Sequence, residues 1–192
     1  MANIDSAFGF RPIKRLDGAA WTGNHTTRKM LGNATALNRG DVVQALPSGY
    51  VQGITAAVAD HSILGVFVGC HYLAASLGYP IWSNYWPGAG ATGEVDVFII
   101  DDPNVVFEVQ AAAGPITFAD VGMTANPTVV ASTTGFSKWT LAAPAASATA
   151  AFRVIALGDP AVNVGNGYDH TTAFNIVQVG WNDQIYRQMV AV

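Results

Sequence analysis

Charge is what this chain has least of. Only 11% of its 192 residues are Asp, Glu, Lys or Arg, against roughly 25% in an ordinary soluble domain. A lone domain needs charge to stay dispersed. A chain so poor in it is expected to cover much of its surface with partners. Cysteine is nearly missing as well. The single Cys70 excludes an intramolecular disulfide and any multi-cysteine metal site. Its place in an apolar run reads as a small buried hydrophobe in a strand. The opening MANIDSAFGFRPIKR has no apolar h-region, so no secretory signal is expected. Asn24-His25-Thr26 and Asn33-Ala34-Thr35 match the N-glycosylation pattern, a chance match without such a signal.

Long hydrophobic runs are also lacking. Ile63 to Trp82 reaches the length of about 20 residues that a spanning helix needs. Gly65, Gly69, Gly78 and Pro80 cut it into strand-like pieces, so no membrane partner is expected. Catalytic signatures are scarce. His25, His61, His71 and His170 form no metalloprotease spacing, and no G-x-S-x-G elbow occurs. Asp60-His61, Cys70-His71 and Asp169-His170 are adjacent pairs, and strand neighbours point to opposite faces. Gly88 to Gly93 matches G-x-G-x-x-G, but Trp86-Pro87 precedes it and a strand pattern comes after. Dinucleotide binding needs a strand before and a helix after, so this is a strand connection. Asp159, Asn163, Asn166 and Asp169 offer hard oxygens without the EF-hand spacing, and read as a polar loop. No cofactor, metal or nucleic-acid partner is expected.

What the chain does have is β patterning. In Glu94 to Gln110, Val95, Val97 and Ile99 alternate with Glu94, Asp96 and Phe98; Val105, Phe107 and Val109 alternate likewise. Period-2 runs of β-branched and aromatic residues make half-buried strands. Asp101-Asp102-Pro103-Asn104 between them has turn chemistry, predicting a hairpin. A second hairpin is predicted from Asp41–Leu46 and Tyr50–Ile54 around Pro47-Ser48-Gly49. Ile63 to Leu73 alternates, with Leu64, Val66, Val68, Cys70 and Tyr72 on one face and Gly65 and Gly69 opposite marking a bulge or close approach. Phe118–Gly122 reads as a short helical turn. Ser137–Leu141, Phe152–Leu157 and Phe174–Tyr186 read as strands, the last broken near Gly180. Seven to nine short strands with little helix give an all-β fold, a barrel or sandwich, jelly-roll or tulip-like.

The net charge of −4 is unevenly spread. Residues 1–39 hold six basic and two acidic residues, a net +4; residues 40–192 hold three basic and eleven acidic, a net −8. Residues 1–27 read as an extended N-terminal arm on a single β domain of residues 28–192. Phe8, Phe10, Arg11, Lys14 and Arg15 are its candidate docking residues, since basic arms seat on acidic partners. The rings are expected to dock on a neighbouring subunit or on the same body. Trp82, Tyr85 and Trp86, with Tyr79, form an aromatic cluster expected at a subunit or partner contact, where Trp and Tyr are enriched; a sugar-stacking platform is the alternative.

The stretch Ala2 to Pro12 (ANIDSAFGFRP) is similar to the start of many tailed-bacteriophage structural proteins. Gly40-Asp41-Val42-Val43, Ser48-Gly49-Tyr50-Val51, Ile63 to Gly69 and Asp102 to Gln110 resemble capsid decoration (cement) proteins. The likeness covers about the first 110 residues and rests on strand and turn residues. It implies a β-rich virion protein, made in the host cytoplasm, on the outside of an icosahedral shell. It implies self-association, most often as a homotrimer, and contact with the major capsid protein. It carries no catalytic residues. The rival class is a glycan- or receptor-binding virion module on a β-sandwich; a β-fold enzyme is a third.

Overall fold

The computed structural model describes residues 2–55, 62–158 and 167–187. The strands are β1 (Arg11–Arg15), β2 (Thr26–Leu31), β3 (Val42–Ala45), β4 (Val51–Gly53), β5 (Ile63–Leu73), β6 (Pro80–Ser83), β7 (Glu94–Ile100), β8 (Val105–Gln110), β9 (Thr124–Ala125), β10 (Pro127–Thr128), β11 (Thr140–Leu141), β12 (Phe152–Leu157) and β13 (Ile176–Trp181). One 3-10 turn, Phe118–Asp120, is closed by Gly122 at φ +93°, as its sequence predicts. Among the described residues the fold is all-β and sandwich-like, with no closed barrel. A five-stranded antiparallel sheet runs β1-β8-β13-β12-β9, and a six-stranded one runs β2-β7-β5-β3-β4 with β6 on β5. β10 and β11 form a separate ribbon.

The hairpin predicted over Glu94–Gln110 is not formed. β7 lies between β2 and β5, whereas β8 lies between β1 and β13 in the other sheet. Both strands exist with the predicted alternation in β7, and the turn chemistry holds: the Asn104 N–H donates to Asp102 Oδ1 at 2.9 Å. The turn carries the chain across the sandwich instead of back on itself. The β3–β4 hairpin does form, pairing Ala45 with Val51.

β5 serves both cores, as do its neighbours β3 and β7. Its pairing with β3 skips Leu64 and its pairing with β7 skips Val68. Each skipped residue is a bulge, and past a bulge the inward and outward faces of a strand are exchanged. Ile63 and Val66 therefore enter the core between the sheets, while Leu64, Phe67 and Cys70 enter a second core. The single alternating face expected of Ile63–Leu73 is corrected accordingly. Gly65 and Gly69 each stand immediately after one of the two bulges. A Cβ on Gly65 would stand 2.4 Å from the Ile100 carbonyl oxygen, so the close approach expected there is real.

The inter-sheet core joins Val42, Ile63, Val66 and Ile100 to Phe107, Phe152, Val179 and Trp181. The second core lies on the opposite face of the six-stranded sheet, which curls until edge strands β2 and β4 touch. Met30, Val43, Phe67, Val97 and Trp86 fill it. Side-chain amides close the loops. Gln184, fully buried, donates to the carbonyls of Leu64 (2.7 Å) and Asp101 (2.8 Å), satisfying a carbonyl in the bulge. Asn175 both donates to and accepts from the Ile116 backbone.

An extended arm standing apart from the body is not shown. β1 is an edge strand of the five-stranded sheet, and β2 begins at Thr26, before the proposed boundary at residue 28. Residues 2–10 are stitched to the body. Asn3 donates to the carbonyls of Asp169 and Ala173 and accepts from the N–H groups of Gly167 and Asp169. Gln110 donates to the carbonyls of Ile4 and Phe174 and accepts from the Ser6 N–H. The segment stays down because its polar backbone is paired and its Phe10 ring is buried.

Candidate functional site

The five arm residues divide. Phe10 is 1% exposed and stacks on Phe152 with ring centroids 4.3 Å apart. It docks on the same body, one of the two expected destinations, and is closed to a partner. Phe8 is half-buried beneath the Arg11 guanidinium, 4.9 Å away. The basic side chains meet acids of their own chain. Arg11 pairs with Glu108 at 2.6 Å and Arg15 with Asp102 at 3.4 Å. Arg28 pairs with Asp101, and Lys29 with Asp96 at 2.7 Å. The positive first segment thus offsets part of the body's negative charge from within. Lys14 has no ion pair among the described residues and stands half-buried on β1.

The aromatic cluster divides too. Trp86 is fully buried; its indole N–H donates to the Ala34 carbonyl at 3.0 Å and Tyr72 meets it edge-on. It is core, not contact, because the loop carrying Ala34 folds over it. Trp82 is 70% exposed on β6 and Tyr85 is 46% exposed. Tyr85 packs beside Gly135, next to the exposed Phe136.

Two surfaces stand out. The first belongs to the excursion between β8 and β12, residues 112–150, a stretch with only Asp120 and Lys138 charged, although Arg39 forms a β-bridge with Phe136 and Arg153 lies beside Met123. On it Phe118 is 82% and Phe136 74% exposed, and Met123, Val129 and Val130 are exposed as well. Nothing in composition alone pointed here; the segment reads as loop, and its rings look like core until the fold leaves them outside. The second is the outer face of the six-stranded sheet. Trp82, His71, Asp96 and Lys29 are direct cross-strand neighbours on β6, β5, β7 and β2. Phe98 is the next β7 residue on that face, two pairs further along.

Chemistry-bearing groups are otherwise muted. Burial pushes the Cys70 thiol up to about 12, which leaves no thiolate for nucleophilic work. Burial also raises the Asp41 carboxyl, against the hydrogen bonds that Asn38 donates to it from its backbone and side chain. Gly88–Gly93 runs into β7 and not a helix. Among the described residues no three His, Cys, Asp or Glu side chains converge as metal ligands would. Of the proposed oxygen cluster, Asp159, Asn163 and Asn166 lie outside the described residues. No described helix is long and apolar enough to cross a membrane. Comparison with protein families, with curated proteins and with solved structures returns no match.

Proposed function

We propose that this chain is a structural virion protein of the capsid-decoration type, which associates with sister copies and fastens onto the outside of an assembled coat of major capsid proteins. The observation that carries it is the excursion of residues 112–150. Exposed apolar surface without charge marks a protein interaction site, and charge depletion is the compositional signal of an interface centre. Here Phe118 and Phe136 stand out from a segment with two charged residues. The resemblance of the first 110 residues to decoration proteins supports the same reading. The docking surface moves accordingly. Arg11 and Arg15 of the arm are paired within the chain, so the excursion and Tyr85 take its place.

A protein that binds only the assembled coat stabilises that state by mass action. A sandwich whose few charges are mostly paired, with a net charge of −4 over 192 residues, suits the task, since repulsion between sister copies is weak. No reaction is assigned to the chain. The test is native mass spectrometry of the purified protein and cosedimentation with expanded capsids from the same source genome. The wild type should form a closed oligomer and pellet with shells; Phe118→Asp with Phe136→Asp should lose both while unfolding normally. A wild-type monomer that stays in the supernatant would end the proposal.

A further inference from the structure

The open sheet face carries a second cluster of aromatic and charged side chains. On it a flat aromatic group stands beside an ordered line of polar groups. The Trp82 ring packs 4.3 Å from His71 and lies within 10° of parallel to Phe98 at 5.5 Å. His25 closes the line edge-on to Phe98 at 5.1 Å. Gly69 is the cross-strand partner of Phe98, so β5 puts no side chain between the rings. Across the strands from Trp82 run an imidazole, a carboxylate and an ammonium. Lys29 Nζ is 2.7 Å from Asp96 Oδ1, and His71 Nδ1 is 3.8 Å from Asp96 Oδ2. Glu94 lies 3.9 Å from the same ammonium and accepts from the Tyr50 hydroxyl.

We propose that this face is a saccharide platform: the indole of Trp82 stacks on the C–H face of a pyranose ring, and Asp96, Lys29 and His71 engage its hydroxyls. Each half of the ligand meets its complement. A pyranose presents an apolar C–H face, which suits a flat ring held rigid by its neighbours. Its rim of hydroxyls both donates and accepts. A carboxylate accepts and an ammonium donates, and such charge-assisted bonds are the strong ones. Cross-strand aromatic pairing alone stabilises sheets. It does not call for an indole left 70% exposed at the end of a charged line. A protein partner fits less well, since interface centres are depleted of Lys, Asp and Glu, and three such groups line this face.

The probe is a printed array of oligosaccharides and bacterial polysaccharides, with calorimetric titration of the best oligosaccharide. Binding is expected, with at least a tenfold loss in Trp82→Ala and in Asp96→Asn. The Phe118→Asp, Phe136→Asp double variant should bind as the wild type does, which separates this surface from the coat-docking one. A blank array overturns the inference, as does binding that Trp82→Ala leaves unchanged. So does Trp82→Ala abolishing capsid cosedimentation while the array stays blank, which would make the face a protein contact. Trp82 is exposed, so the variants fold, and a thermal melt alongside each titration shows it.

Discussion

Phe10→Ala separates a docked first segment from a free one. Phe10 is fully buried, stacked on Phe152, which is itself stacked on Trp181 at 4.6 Å and flanked edge-on by Phe107. Truncating a buried Phe costs about 3–5 kcal/mol. The neighbours here are rigid rings locked against one another, so the hole cannot collapse, and the upper half, about 4–5 kcal/mol, is expected. At about 2–4 °C per kcal/mol for a chain of this size, Tm should fall by roughly 8–20 °C. The assay is thermal and urea unfolding monitored by tryptophan fluorescence, with Trp181 as the reporter beside the cavity. The same substitution in a free arm would leave Tm alone and weaken only partner binding. A loss below about 3 °C would refute the packing described here.

Three further expectations rest on the same kind of contact. Gln110→Ala removes partners from the backbones of Ile4, Ser6 and Phe174; it should cost about 1–3 kcal/mol, read by urea denaturation. Trp86→Ala should cost about 3–5 kcal/mol where Trp82→Ala costs under about 1 kcal/mol, and equal melts would break the division of the aromatic cluster. The buried Asp41 carboxyl has a folded pKa above its unfolded value of 3.8. Its charge therefore weakens the fold fully above the raised pKa, and the deficit fades as pH falls through it. Asp41→Asn should unfold at higher urea than wild type at pH 7, with the gap narrowing toward pH 4; a pH-independent gap contradicts the assignment.

The alternation of Val95, Val97 and Ile99 named a strand because burial on one face leaves a local trace. The Asp102 turn was legible for the same reason, since its bond to Asn104 spans two residues. The partner of that strand was not. Whether β7 pairs β8 depends on β1, β2, β5 and β13 competing for the same edges, and no local pattern records that contest. Gly65 and Gly69 signalled irregularity in β5, but two bulges exchange faces twice, and counting residues in twos fails across each. Trp82 and Trp86 look alike in sequence; a distant loop bearing Ala34 decides between them. The aromatic and charged line on the open face was half visible. Trp82 was singled out, while His71, Asp96 and Lys29 come together only through register across four strands.

Asn3 sits in the loop of residues 167–173, and β1 lies along β8, which in turn borders β13. Residues 3–10 are thus received by segments synthesised long after them. On a ribosome adding about 5–20 residues per second, the opening segment must wait many seconds, its Phe10 ring unhoused, until β12 and β13 emerge to receive it. The five-stranded sheet can therefore form only once β12 and β13 have been made, and a nascent chain stalled before β12 would leave the Phe10 ring without its Phe152 partner.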